Sequence, residues 1–290
     1  MKRVFFVILH YQNIEDTIHC VDSIDSLNAP NIEKHIVLID NHSPNHSGEE
    51  LQKKYQNKKN CQVLLLDKNY GFTIANNKGY QIAKESNADV IMVLNNDILF
   101  EDSTFLEKLM KEYKDYDVIA PDIINIQDRH QNPLREEPYT LKKAYKNLLF
   151  QRLSFIFYHI PYLNKLFLKW NQKREQKWLD NYFKEKNNNI DIHHFVPFGA
   201  FIIYTGKYIK NEEKAFVGTS FMYMEEEFLG LYLKVKQYRL FYNSDLKVRH
   251  LEGRSTQYSL DNEIKRLIFR TKNQAKAIQK YIKFYKRMVK

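Results

Sequence analysis
Asn95, Asn96 and Asp97 follow directly on the apolar run Val90-Ile91-Met92-Val93-Leu94, which places two amides and one carboxylate where a buried strand leaves its sheet. In open α/β sheets, ligands bind at that edge. An Asp there is a hard oxygen ligand suited to Mg²⁺ or Mn²⁺, and such a cation offsets the charge of a phosphorylated substrate. Three earlier apolar runs end in the same manner, in His10-Tyr11-Gln12-Asn13, in Asp40-Asn41-His42-Ser43 and in Asp67-Lys68-Asn69-Tyr70-Gly71. Any one of these clusters also suits a turn or a helix N-cap. Four along one edge form a polar site.

A further acidic feature is Glu225-Glu226-Glu227, set between Phe221-Met222-Tyr223-Met224 and Phe228-Leu229. Acids in a first helical turn complement the helix dipole. Apolar flanks also desolvate a carboxylate and raise its pKa, which suits a general base. Two phosphate-binding signatures are absent: no Gly-x-Gly-x-x-Gly follows the first strand, and no Gly-x-x-x-x-Gly-Lys-Ser/Thr occurs anywhere. A bound diphosphate would therefore need another counter-charge, and a divalent cation is the usual one.

The elements that must position these residues follow from periodicity. Apolar runs alternate with helical patterns through the first half: Val4 to Leu9 then Glu15 to Leu27, Ile36 to Ile39 then Gly48 to Tyr55, Val63 to Leu66 then Thr73 to Ala83, and finally Val90 to Leu94. Such alternation implies βαβ units and a mainly parallel sheet flanked by helices, an α/β fold. Val4 to Leu9 lacks polar alternation, as a strand buried on both faces should. Downstream, Phe195 to Tyr204 reads as a strand, Glu226 to Lys236 as a helix and Ile264 to Val289 as a long terminal helix. The expected organisation is an α/β half over 1–130, a basic, aromatic helical insertion over 131–192, a return to the same domain over 193–257 and a basic amphipathic helix over 258–290.

The net charge of +10 is unevenly spread: residues 265–290 hold ten Lys or Arg and no acid, and 139–189 mix cations with Tyr, Phe and Trp. The terminal helix carries one apolar stripe through Ile264, Leu267, Ile268, Thr271, Ala275, Ile278, Ile282, Tyr285 and Val289. Two readings stay open for it, docking on the core with a solvated charged face, or contact with a membrane surface. The insertion suits an acceptor site for a lipid-linked saccharide or a place against the bilayer. No charge-free run reaches the length of a membrane span, and the opening apolar run is too short for a signal peptide. A cytoplasmic location is expected, peripheral on the inner face of the membrane if the basic helix binds there. Cys20 and Cys61 are isolated and read as reduced thiols.

Taken in order, Ile8-Leu9-His10-Tyr11-Gln12-Asn13, Ile39-Asp40-Asn41-His42-Ser43, Asn69-Tyr70-Gly71-Phe72-Thr73-Ile74-Ala75-Asn76-Asn77-Lys78-Gly79 and Leu94-Asn95-Asn96-Asp97 resemble the family-2 glycosyltransferases of GT-A fold, especially the rhamnosyltransferase-like branch of bacterial surface-polysaccharide synthesis. Pro197-Phe198-Gly199-Ala200-Phe201-Ile202-Ile203, the Glu225 to Glu227 run, and Val248-Arg249-His250 with Ser255-Thr256 continue the likeness. The resemblance implies an inverting transferase, hexosyl or deoxyhexosyl, that moves a sugar from a UDP- or dTDP-linked donor to a saccharide or lipid-linked acceptor in capsule, cell-wall or lipopolysaccharide synthesis. It places His10, Tyr11, Asn13, Asp40, Asn69, Gly71, Phe72, Asn76, Asn77, Asn95 and Asn96 against the donor, with Asp40 on the base. It assigns Asp97 and His250 to a Mn²⁺ or Mg²⁺ ion, and Phe198, Gly199 and Ala200 to the acceptor side. Glu226 takes the place of the catalytic base, usually an Asp, with Glu225 as the alternative, and Asn95 replaces the first acid of the metal motif. Competing readings are a nucleic-acid-binding protein, for which no recognition motif is found and none is expected as partner, and an inactive homologue serving as an assembly partner.

Overall fold
A computed structural model describes residues 1–185, 195–252 and 263–289. The first half supplies β1 (Lys2–His10), α1 (Ile14–Asp25), β2 (Ile32–Asp40), α2 (Ser47–Tyr55), β3 (Cys61–Leu65), α3 (Gly71–Glu85), β4 (Val90–Asn95), the short β5 (Ile98–Leu99), α4 (Phe105–Glu112) and β6 (Val118–Asn125). A helical hairpin follows, α5 (Leu141–His159) and α6 (Leu163–Glu185). The chain then returns as β7 (Phe201–Tyr204), α7 (Gly206–Asn211), α8 (Glu225–Val235) and β8 (Leu240–His250), and ends in α9 (Glu263–Met288).

One eight-stranded sheet has the order β3-β2-β1-β4-β7-β6-β8-β5. β1 pairs in parallel with β2 and β4, β2 with β3, and β6 with β8, whereas β7 runs antiparallel between β4 and β6, and β5 antiparallel to β8. The fold is the mainly parallel α/β sheet that the alternation implied. Residues along β1 point alternately to the two faces, so Val4, Phe6 and Ile8 join one core with α1, α2 and α4, and Phe5 and Val7 join another with α3, α7 and α8. A third, smaller core binds α5, α8 and α9 through Ala144, Leu148, Phe228, Ile278 and Tyr281.

Register fixes the site edge. His10 lies opposite Asp40, Leu9 opposite Asn95, and Asp40 opposite Leu65, so the polar ends of β1 to β4 share one rim. Two expectations change. The strand expected over 195–204 shrinks to β7, because Pro197 and the turn at Gly199-Ala200 leave the ladder before Phe201. The insertion expected from 131 becomes helical only at Leu141; the stretch before it stays beside the sheet, with Gln131 donating its backbone N–H to the Ile123 carbonyl. Ser255 and Thr256 lie outside the described residues. Among the described residues, no helix is long and apolar enough to cross a membrane.

Candidate active site
A cavity of about 740 Å³ opens at the strand-end rim. Leu9, Tyr11, Asn41, Asn69, Gly71, Phe72, Asn95 and Asn96 line one side; Phe221, Met222 and Tyr223 form a second wall, and the first turns of α9, with Arg266, Leu267 and Arg270, form a third. The second wall is clasped to the start of α3. Gly71 sits at φ +77°, the Phe72 N–H donates to the Phe221 carbonyl at 2.7 Å, and a Cβ on Gly71 would meet that carbonyl oxygen at 2.1 Å. Only glycine fits there. Tyr223 and Met224, both with positive φ, turn the wall into α8, a costly backbone of the kind that clusters at ligand sites.

Asp97 and His250 meet because β5 pairs with β8 at Ile98 opposite His250, and the Leu251 N–H donates to the Asp97 carbonyl at 3.0 Å. His250 Nε2 then lies 3.2 Å from Asp97 Oδ1, and both side chains are buried. Gln131 settles the tautomer: its amide nitrogen donates to Glu252 at 2.6 Å, which leaves its Oε1 to accept from His250 Nδ1 at 2.7 Å. In the neutral ring the Nε2 lone pair therefore faces a carboxylate oxygen that has no hydrogen-bond partner among the described residues. Two converging acceptors suit a shared cation, and a divalent metal fits this pair. Among the described residues no cluster of three or more His, Cys, Asp or Glu forms a complete metal cage. A metal here would take its remaining ligands from water and a bound phosphate, as Mg²⁺ commonly does.

The acidic run opens α8. Glu226 is half-buried and lies against Gly199, where an added Cβ would come within 3.0 Å of its Oε1. Burial raises the pKa of Glu226, opposed by Arg135 and by the backbone N–H groups of Glu226 and Gly199. Glu225 is raised well above the usual carboxylate range by burial and by Glu226, with no cation opposing it, and its Oε2 lacks a hydrogen-bond partner among the described residues. Burial therefore raises both neighbouring carboxyls, and Glu225, which lacks the opposing Arg135, the further. Glu227 is structural: it pairs with Arg135 at 2.9 Å and accepts the Tyr139 N–H at 2.7 Å. Phe198 and His250 rings are 5.9 Å apart, and the Ala200 carbonyl accepts the Asn95 N–H at 2.9 Å. The acceptor-side stretch accordingly bridges the Asp97–His250 pair to Glu226.

Tyr11, Asn69, Gly71, Phe72, Asn95 and Asn96 line the cavity, whereas His10, Asn13, Asp40, Asn76 and Asn77 lie outside its lining, as do Asp97, His250 and Glu226. His10 is fully enclosed, with Thr17 at 2.7 Å on Nδ1 and Ser47 at 2.8 Å on Nε2, and burial pushes its pKa down to about 4. Asn13 caps α1 by accepting the Asp16 N–H. Asp40 accepts from the Ser43 N–H and hydroxyl and shapes the loop beneath the rim. Asn76 donates to the Phe72 carbonyl, and Asn77 makes a two-way bond with the Phe216 backbone. Asn41 takes the cavity position expected of Asp40, donating to Asn69 at 3.1 Å and accepting the Tyr70 N–H. Asn41 was within the strand-end cluster; Arg266 and Arg270 carried no local signal.

The sequence profile of glycosyl transferase family 2 matches residues 6–211. A cholesterol galactosyltransferase of Borreliella burgdorferi is 30% identical over 152 residues, which covers 50% of this chain and 41% of that protein. The crystal structure of S. aureus TarS 1-349 in complex with UDP-GlcNAc superposes with a TM-score of 0.52 at 15% identity over 93% of this chain and 66% of that one. The same fragment in complex with UDP gives 0.51 at 16% identity over 93% and 65%. At such identity the two structures speak for the fold. The chain spans less than two thirds of the length of each of these relatives.

Proposed function
Since the chain belongs to glycosyl transferase family 2, we propose that its strand-end cavity binds a nucleotide-diphosphate sugar and that Glu226 activates an acceptor hydroxyl for inverting transfer. The observation that carries this reading is the meeting of Asp97 and His250 at 3.2 Å, far apart in sequence but joined by the β5–β8 pairing, with Glu226 against Gly199 nearby.

Each residue then has a chemical part. The rings of Tyr11 and Phe72 and the amides of Asn41 and Asn69 suit a flat nucleoside base with polar edges. Arg266 and Arg270 supply positive charge where no glycine cradle exists. A divalent cation held by Asp97 and His250 would neutralise charge on the departing diphosphate. Asn95 leaves this site with one acid fewer than a two-acid motif, so weak metal affinity is expected. Glu226 takes the acceptor proton while the hydroxyl attacks the anomeric carbon from the side opposite the diphosphate, and that single displacement inverts the configuration. A UDP-linked donor agrees with the ligands of the TarS structures, and a lipid-side acceptor agrees with a relative named a cholesterol galactosyltransferase. The rhamnosyltransferase-like resemblance keeps deoxyhexosyl donors in the set to be tried.

The test is a screen of UDP- and dTDP-sugars for Mn²⁺-dependent hydrolysis and thermal stabilisation. At least one donor should give both, and Asp97→Ala should remove the metal-dependent part while its far-UV circular dichroism stays unchanged. Full metal-dependent activity in Asp97→Ala would overturn the assignment.

A further inference from the structure
The α5–α6 hairpin has an uncovered apolar face. On α5, Ala144, Leu148, Ser154 and Tyr158 turn inward, and the opposite side carries Leu149 and Ile156 at 60% and 54% exposure. On α6, Leu166 at 66% and Trp170 at 51% continue the same kind of surface, and Tyr162 stands at the connecting turn with 88% exposed. The opposite side of a docked helix is ordinarily polar. Contiguous apolar exposure of this kind marks an interaction surface.

Charge identifies the partner. From 139 to 174 the chain holds eight Lys or Arg and no Asp or Glu. The acids of the hairpin, Glu175, Asp180 and Glu185, all follow in the distal part of α6, so a second copy of the chain would set two strongly basic surfaces against one another. A nucleic acid would match the cations but leave the aliphatic Leu149, Ile156 and Leu166 uncovered. An anionic bilayer satisfies both, with phosphate headgroups for the cations and acyl chains for the aliphatic side chains, while Trp and Tyr settle at the headgroup level. Neither helix is apolar enough to cross, so the hairpin would lie in the interface.

We infer that the exposed face of α5 and α6 docks in the headgroup layer of an anionic membrane. The hairpin also braces the cavity: Gln172 donates to Glu263 at 2.9 Å, and Glu263 starts the helix turn that carries Arg266 and Arg270. A bilayer at this face therefore lies beside the cavity's third wall. The inference stands without the transferase reading, because its test measures binding alone.

The experiment is flotation of the full chain with vesicles of phosphatidylcholine alone and with 30% phosphatidylglycerol. Binding should require the anionic lipid. Leu149→Ser/Ile156→Ser/Leu166→Ser keeps every cation and should weaken binding at least about tenfold; Lys146→Glu/Arg152→Glu/Lys169→Glu should abolish it, since each cation near such a surface is worth about fivefold. In a Trp178→Phe background, lipid-attached quenchers near the headgroups should dim Trp170, a readout that needs no change on the face itself. No association with anionic vesicles, or association untouched by the triple Ser variant with no quenching of Trp170, would overturn the inference. So would a dimer of the wild-type chain that the triple Ser variant dissolves without any loss of vesicle binding.

Discussion

Gly71→Ala tests whether the wall at Phe221 to Tyr223 is held to α3 as the geometry requires. A non-glycine residue in the left-handed region costs about 1–2 kcal/mol. The new Cβ would also stand 2.1 Å from the Phe221 carbonyl oxygen and 2.6 Å from its ring. It cannot coexist with the Phe72 N–H bond to that oxygen, and losing the bond adds about 1 kcal/mol. The strain, about 2–3 kcal/mol, has two outlets. If the wall stays closed, the folded state carries all of it; with an unfolding entropy of about 2.1 cal/mol/K per residue, 290 residues give about 0.6 kcal/mol/K and a fall in Tm of about 3–5 °C. If the wall opens, the fold is relieved and ligand binding must close it again, so UDP affinity drops about tenfold for every 1.4 kcal/mol. Calorimetric titration with UDP and Mn²⁺ together with thermal melts should show losses whose sum lies in that range. Gly206→Ala is the control: a Cβ there meets nothing within 4 Å, and its Tm should stay level or rise slightly. A Gly71→Ala variant with wild-type Tm and wild-type UDP affinity would refute the clasp.

Glu226→Gln should lower kcat by about 10²- to 10⁴-fold with UDP affinity unchanged, whereas Glu225→Gln, at the acid that burial raises the further, should have the smaller effect; the reverse order in steady-state assays would exchange their roles. His10 gives a pH prediction. Its folded pKa of about 4 lies below the ordinary 6.5, so between those values the unfolded chain takes a proton that the native chain refuses, and stability falls as pH falls. At pH 5 the loss is about 2 kcal/mol. Glu227, raised by burial to about 7, shifts stability in the opposite sense over that interval but alike in both proteins, so urea unfolding at pH 7 and pH 5 should show the wild type losing about 2 kcal/mol more than His10→Gln, and equal pH dependence in the two would contradict the enclosed, neutral imidazole.

The first half of the fold was legible because its strands are buried on both faces: Val4 to Leu9 and Val90 to Leu94 are unbroken apolar runs, and the polar clusters that end them mark the rim. β6 and β8 were not, for reasons visible in their side chains. Val118–Asn125 carries Pro121 and Asp122 at a register shift, and Leu240–His250 buries the polar Asn243 and interleaves Asp245, Lys247 and Arg249 with its buried positions. Neither looks like a core strand in isolation, yet β8 delivers His250. The strand-end residues illustrate a second limit. Types and spacing placed His10 and Asp40 at the rim, but which of two adjacent residues turns to the cavity depends on the loop that follows. At the end of β2 the Ser43 turn draws Asp40 inward and leaves Asn41 exposed to the site. Pairings such as Gln131 with His250 and Arg135 with Glu227 join residues about a hundred positions apart, and no local pattern carries them.

The terminal helix follows the docked one of the two readings open for it: Ala277, Ile278, Tyr281, Ile282 and Phe284 in the second half are buried against α5 and α8. Anchored there, the first half brings Arg266 and Arg270 to the cavity. A 26-residue helix is about 39 Å long, so one end can belong to a core while the other reaches the rim. The sheet lacks a glycine cradle for phosphates, and these arginines are the cations that line the cavity. The same docking has a consequence for α5: by covering the inner side with α9 it leaves Leu149 and Ile156 outward, on the face proposed above to meet a membrane.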